Sequence, residues 1–447
     1  MTLKPNVLFL VLDSLRADSC YENAKLDKVP HIAQLIKKGV NFDKAFSCTD
    51  YTTTSIQAIF TARYPFGCGI TKDHYYKIFS KSTNFVDTLK ANGYHAYAIL
   101  EDSLCSQGVD KPFENSDVEF ASSKNLYNGL ESKFLEKFEN DNIQQPWFFY
   151  IHLMDLHKPC VVPQEYNHLK QSERYDLNLT KIDSSIGKIL KKIDMSNTLF
   201  IITADHGEYI SPFDDSIKEV GKTKSFLKKV IKSVIFPSLR PAVHVKKQQF
   251  LNDLQASKTK TAHEKRAFQK RPAEDRYMYD DVIRVPLIFS GYGINEHSTI
   301  TTQVRNIDIF PTILEILDLS LPNKKIHGKS FMPLIEGKKT QTDPLYMEST
   351  IIKTIQKNPQ AVIGIRTKNY KYFRHINDPK KNAHLYNLEK DPYEEDNILK
   401  NNSKIIEEFE EIMHKIRETA IAEPEPEKLT DEEEKELEAE LKKMGYI

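Results

Sequence analysis

Three apolar runs of strand length each hand carboxylates or imidazoles to the chain just beyond them. Asp13 follows Val7–Leu12, the stretch Met154-Asp155-Leu156-His157 follows Trp147–Leu153, and Leu199–Thr203 leads into Ala204-Asp205-His206-Gly207-Glu208. Asp13, Asp205 and His206 make a mixed oxygen and nitrogen donor set, which suits Zn²⁺ or Mn²⁺; Mg²⁺ and Ca²⁺, the remaining options, prefer oxygen alone. Singly, Asp13 would serve to cap a turn and Asp-His-Gly-Glu to form a polar loop. Their joint occurrence at strand ends argues for a divalent cation.

A hydroxyl-rich stretch, Thr52-Thr53-Thr54-Ser55, opens an amphipathic run to Thr61. Thr, Ser and Asp are favoured where helices begin. A hydroxyl there feels the backbone N–H groups and the positive end of the helix dipole, which favour an alkoxide and an anionic substrate. Coordination to a metal would make Thr52 a competent nucleophile, and Thr52 is therefore read as both catalytic residue and metal ligand. A plain helix-capping threonine is the competing reading. His157 could protonate a leaving oxygen, hold an anionic ester, or bind a second metal together with Asp155. Lys158 and Arg63 are candidate clamps for the anion, or only surface charges.

The elements that must position these residues alternate. Strands are predicted at Val7–Leu12, Ala96–Leu100, Trp147–Leu153, Leu199–Thr203 and Val285–Phe289, and helices at Ile32–Lys38, Thr53–Thr61, Phe85–Asn92 and Leu179–Ile193. Continuous apolar strands separated by helices indicate an α/β fold, a mainly parallel sheet sandwiched by helices. In such sheets ligands bind beyond the carboxyl ends of the strands. From Pro344 the texture changes to short alternating strands (Ala361–Arg366, Tyr370–Phe373, His384–Leu388) and a helix, Ser403–Arg417: a small antiparallel C-terminal α+β subdomain. The resulting division is a catalytic domain over 1–343, a subdomain over 344–422 and an acidic tail over 423–447. The tail carries a capping-box pattern at Thr430–Glu433 and reads as a solvated helix.

With 63 basic and 63 acidic residues in 447, the balanced charge gives no case for a nucleic-acid partner. The apolar run near the N-terminus is too short for a secretory leader, and no stretch reaches the roughly 18 apolar residues of a spanning helix. A cytoplasmic protein, peripheral to a membrane at most, is the expectation. Five scattered cysteines suggest neither a disulfide framework nor a zinc ribbon. Residues 222–271 form a basic insertion with fourteen Lys/Arg against two acids. Within it Phe226–Phe236 has helical apolar spacing with lysines opposite, a pattern able to lie on an anionic membrane or meet an anionic glycan. His244 and His263, also in the insertion, are open candidates for a second metal.

These landmarks together resemble the sulfatase family of the alkaline-phosphatase superfamily. The resemblance is carried by Pro5–Asp18, Val29–Phe42, Thr203–Glu208, Tyr279–Leu287, Asp308–Thr312, Gly328–Leu334, Arg366–Tyr372 and Leu385–Pro392. It implies a metal held by Asp13, Asp205 and His206, and a nucleophile before Thr61-Ala62-Arg63-Tyr64-Pro65. Formylglycine sulfatases carry Cys or Ser in a Cys/Ser-x-Pro-x-Arg motif there. Here Thr52 fills that place, with Thr54 and Ile56 where Pro and Arg would stand. Threonine cannot become formylglycine, and Ser14 replaces a second aspartate. The pattern is similar to superfamily phosphodiesterases and lipid-headgroup transferases that use a threonine directly. The expected function is accordingly phosphoester cleavage or transfer, on a saccharide or lipid-linked glycan, through a covalent threonine intermediate. A sulfuric ester hydrolase working without formylglycine is the first alternative, and a catalytically silent glycan-binding relative the second.

Overall fold

The computed structural model describes residues 4–21, 23–68, 76–79, 84–121, 125–139, 143–210, 261–268, 278–321, 326–349, 361–419 and 427–444. Most of the basic insertion, including Phe226–Phe236 and His244, lies outside the described residues. None of the described helices is long and apolar enough to cross a membrane.

Eight strands form the main sheet: β1 (Asn6–Leu12), β2 (Val40–Phe42), β3 (His95–Glu101), β4 (Glu119–Phe120), β5 (Trp147–Leu153), β6 (Thr198–Thr203), β7 (Leu287–Gly291) and β8 (Ser298–Ile300). Their spatial order is β8-β2-β7-β6-β1-β5-β3-β4. Only β7 runs against its neighbours β6 and β2; the other pairs are parallel. Every residue of β1, β5 and β6 is buried, as expected for central strands covered on both faces. The predicted strand at Val285–Phe289 is split: Arg284–Val285 joins a small side sheet and β7 begins at Leu287. Pro286 has no amide to donate to a ladder, so the break falls on it.

Register decides what the sheet presents. Val11 pairs with His152 on one side and with Thr203 on the other. Neighbouring paired residues share a face and residues two apart along a strand return to it, so Asp13, His152 and Asp205 belong to one face at one edge. Two helices frame this edge, α1 (Thr52–Thr61) and α2 (Gln171–Leu190). Helix α2 starts eight residues before the predicted Leu179, on a polar turn where Glu173 accepts the Lys170 amide at 2.7 Å. That extra length carries Tyr175, buried, whose hydroxyl donates to the Ser14 carbonyl at 3.1 Å and accepts from the Arg16 amide at 3.0 Å. The turn behind Asp13 is thereby tied down.

The C-terminal subdomain is a four-stranded antiparallel meander, β9 (Leu345–Ser349), β10 (Val362–Arg366), β11 (Tyr370–His375) and β12 (His384–Asn387), packed by helix α3 (Ser403–Glu418) through Phe409 and Met413. Its core is continuous with Phe46, Cys48, Ala58 and Ile307 of the larger domain. The acidic tail is not wholly solvated. Glu427–Lys428 pairs with Tyr76–Lys77, Leu429 and Leu437 are buried, and Lys77 reaches Glu427 and Glu433 at 2.9 and 3.0 Å. The capping box is present, with the Glu433 amide donating to Thr430 Oγ1 at 3.3 Å and the Thr430 amide to Glu433 Oε2 at 2.8 Å.

Candidate active site

Thr52 is the first residue of α1, and its buried hydroxyl donates to Asp13 Oδ2 at 3.0 Å and stands 3.1 Å from His206 Nε2. The helix start is pinned by its hydroxyls. Ser55 donates to the Asp205 carbonyl at 2.7 Å, and Asn306 Nδ2 reaches Ser55 Oγ at 3.1 Å and Ser47 Oγ at 3.3 Å. Asp205 is held from the other side: its Oδ1 accepts the His206 amide at 2.8 Å and the Ser14 amide at 3.2 Å. Ser14 adopts a left-handed conformation (φ 62°), and its hydroxyl donates to Asp13 Oδ1 at 2.6 Å. The serine in place of a second aspartate thus orients the first. Four side chains from distant parts of the chain, Asp13, Thr52, Asp205 and His206, meet at one point.

A fifth residue joins them. Among the described residues, Asp13, His152 and Asp205 bring ligand atoms within 4.8 Å of one another. His152 was missed because β5 reads as one continuous apolar strand; the signal was an imidazole in the middle of a doubly buried run, where a polar group needs a reason.

The charges of the site call for a cation. Burial alone would raise the pKa of Asp13, but His152, His157 and His206 hold it well below the usual carboxylate range. Burial and the neighbouring Asp13 charge push Asp205 up. Burial would lower His206, yet Asp205 and Asp13 raise it to about 9. Two adjoining carboxylates in a dry pocket are unfavourable without positive charge between or beside them. Asp205 Oδ2 and His152 Nε2 are buried with no hydrogen-bond partner, and such orphaned atoms fit a divalent ion.

The remaining candidates are distributed as follows. His157 is half-buried at the mouth, and its charge acts on both Asp13 and Glu208. Lys158 Nζ pairs with Glu208 Oε1 at 2.9 Å beside it. Asp155 Oδ1 accepts the Leu126 amide at 2.9 Å, and burial pushes its pKa up to about 6. His263 stacks on Tyr209 and lies 3.4 Å from Asp281, in contact with Arg16, rather than joining the cluster. Arg63 is buried beyond the far end of α1, about 14 Å of helix from Thr52. Its charge acts on His327.

His327 accepts the Tyr64 amide at 3.2 Å. Burial, then the Arg63 charge, lowers its pKa from 6.5 to about 4. Between those values the unfolded chain holds a proton the folded chain does not, so stability is lost as pH falls from 6.5 toward 4. Thermal melts of His327→Gln across this window should therefore slope less steeply than wild type. Parallel slopes would refute the assignment.

A mainly parallel α/β sheet that gathers carboxylates, imidazoles and a helix-borne hydroxyl at its carboxyl edge has the layout of an alkaline-phosphatase-like ester hydrolase. The chain belongs to the sulfatase family: the family described as Sulfatase matches residues 5–319, and that described as N-sulphoglucosamine sulphohydrolase, C-terminal, matches residues 264–420. It is 23% identical over 456 residues to an ulvan-active sulfatase of Formosa agariphila, covering 89% of this chain and 77% of that one. Its fold is similar to that of a 2-O GAG sulfatase (TM-score 0.65, 15% identity, 93% and 92% of the two chains). It is also similar to that of the phosphonate monoester hydrolase of Agrobacterium radiobacter (TM-score 0.60, 15% identity, 94% and 96%). The chain is a hydrolase of this family with a candidate site for a divalent metal at Asp13, His152 and Asp205. The balance of these relatives favours the sulfuric-ester alternative over the phosphoester cleavage expected from the threonine pattern.

Proposed function

We propose that the protein hydrolyses a sulfuric ester carried by a saccharide, with Thr52 as the nucleophile. The observation that carries this is the Thr52 hydroxyl, 3.0 Å from Asp13 Oδ2 and 3.1 Å from His206 Nε2, in the family's nucleophile place. Asp13, Asp205 and His206 would hold the metal, Zn²⁺ or Mn²⁺ by donor type, which supplies positive charge that lowers the hydroxyl's pKa and offsets the charge of the sulfuryl group. Thr52 passes its proton to Asp13 Oδ2, the acceptor of its hydrogen bond, as its oxygen attacks sulfur in line. The S–O bond to the sugar breaks as the Thr–O–S bond forms. His157 at the mouth delivers a proton to the departing sugar oxygen. Water then attacks sulfur of the sulfo-threonine, returning the proton to Thr52 and releasing sulfate. Lys158, paired with Glu208, offers positive charge to the ester's outer oxygens. Cys48 lies four residues before Thr52, buried in the core shared with the subdomain, and lacks the Pro and Arg of a formylglycine motif.

Support for a saccharide comes from the relatives, one of them ulvan-active and one a GAG sulfatase. Phosphoester cleavage is the second reading, favoured by the free-standing hydroxyl chemistry of Thr52 and by the phosphonate monoester hydrolase likeness. A parallel panel of sulfated saccharides, aryl sulfate, phosphate monoester, phosphodiester and phosphonate ester decides between them. We expect kcat/KM to be highest on a saccharide sulfate; turnover of phosphorus esters with none of any sulfate would overturn the assignment.

A further inference from the structure

His152 lies outside the donor set that the family resemblance implies, yet it is the residue that the register of the sheet brings under Asp13 and Asp205. Its ring is fully buried. Its Nδ1 lies 2.7 Å from the Tyr150 hydroxyl, which stands two residues earlier on the same face of β5. Its Nε2 faces Asp13 Oδ2 at 3.6 Å, beyond hydrogen-bonding reach, and has no other partner. Were Nε2 to carry the proton, a buried N–H would point at two carboxylates without bonding well to either. Were Nδ1 to carry it, the N–H would donate to the Tyr150 oxygen at normal length, and the Nε2 lone pair would face Asp13 and the orphaned Asp205 Oδ2.

We propose that His152 Nε2 is a nitrogen ligand of the metal and that Tyr150 is the positioning residue that makes it one. Zn–N and Zn–O bonds are about 2.0–2.2 Å, so two ligand atoms of one tetrahedral ion lie roughly 3.3–3.6 Å apart, and the 3.6 Å approach of His152 to Asp13 stands at the upper end of that range. A hydrogen bond to the far nitrogen fixes ring orientation and tautomer in metal-bound histidines, and losing such a partner typically costs 10–100-fold in metal affinity. With His206 the site then holds two imidazoles beside two carboxylates. That set selects Zn²⁺ or Mn²⁺ against Ca²⁺ and Mg²⁺. Tyr150 is itself wedged between Phe60 and Phe113, with ring centroids 5.0 and 5.9 Å away, so the hydroxyl has little freedom to leave the imidazole.

The inference rests on the metal site underlying the proposed reaction, but its test needs no substrate. The full-length chain, stripped with a chelator, is titrated with Zn²⁺ and with Mn²⁺ against a competing metal indicator. Tyr150→Phe should weaken binding ~10–100-fold and His152→Ala by at least as much, with folding verified by thermal melts. Affinities within twofold of wild type for both variants would overturn the proposal, as would a preference of the wild-type chain for Ca²⁺. Should either variant fail to fold, ¹⁵N spectra of histidine-labelled wild type decide. A His152 protonated at Nδ1, with Nε2 shifted on adding Zn²⁺, supports the assignment; a proton on Nε2 with metal bound overturns it. Failure on sulfate esters would leave this result standing, and unchanged metal affinity would leave the ester assignment standing.

Discussion

Replacing Thr52 by Ala should lower kcat about 10³-fold or more on the best ester while leaving a folded chain. The magnitude follows from removing a covalent nucleophile that acts together with its activating groups, where loss of one member costs nearly as much as loss of all. The fold should survive because the hydrogen bonds that fix the start of α1 come from Ser55, Thr54 and Asn306, not from Thr52. Loss of the hydroxyl removes its hydrogen bond to Asp13 Oδ2, worth about 0.5–1.5 kcal/mol, so the melting temperature should fall by a few degrees at most. Undiminished turnover would move the nucleophile elsewhere and remove the reaction argued above. Thr52→Ser, which keeps the oxygen, should retain measurable turnover; equal loss in both variants would show that the hydroxyl is not the reacting group.

The second large effect concerns stability. Lys371 is completely buried between Asp280 Oδ1 and Glu394 Oε1, 2.7 Å from each, and Arg366 closes on Asp280 Oδ2 at 2.7 Å. Lys371→Met removes the cation that holds down Glu394, whose carboxyl burial already pushes up to about 7, and leaves part of Asp280 unpaired; it should cost about 3–5 kcal/mol in denaturant unfolding, the usual result of breaking rather than replacing a buried ion pair. The double variant Lys371→Met with Glu394→Leu should recover part of that loss, since the uncompensated charge goes with it. A cost below ~1 kcal/mol for the single change would show that the network is hydrated and contributes little. The network sits at the seam between subdomain and sheet. Two residues beyond Asp280, the Val282 carbonyl accepts the Gly207 amide at 2.6 Å, so the subdomain braces the segment that carries Asp205 and His206.

How much of this was legible depends on the range of the interaction involved. Strands β1, β5 and β6 were readable because doubly buried strands must be apolar throughout, and that pattern is local. The polar residues closing β1 and β6 were readable for the same reason: Asp13, Asp205 and His206 interrupt apolar runs at their ends. Thr52 becomes the candidate nucleophile by counting back along one helix, and the structure sets its hydroxyl beside Asp13 and His206. His152 was hidden inside a run whose apolar neighbours outvoted it. Arg63, a candidate anion clamp or surface charge by sequence, is buried beyond the end of α1, a placement that linear order conceals. Asp155 shares a tetrapeptide with His157, and one of its carboxylate oxygens accepts a backbone amide from residue 126, a contact no local pattern shows. The charge of the tail predicts a solvated helix, but buried Leu429 and Leu437 and the pairing of Glu427–Lys428 with Tyr76–Lys77 dock it.

Residue order alone established which chemical groups the chain owns, where apolar strands stop, and therefore the class of fold and the kind of site. Pairing decided the rest. A strand's neighbours and its register against them are set by contacts between segments more than a hundred residues apart, whose free energies cannot be read from either segment by itself. Val11 opposite both His152 and Thr203 is one such choice, and it alone puts an imidazole beneath two carboxylates. A slip of one residue would have turned that ring to the opposite face of the sheet.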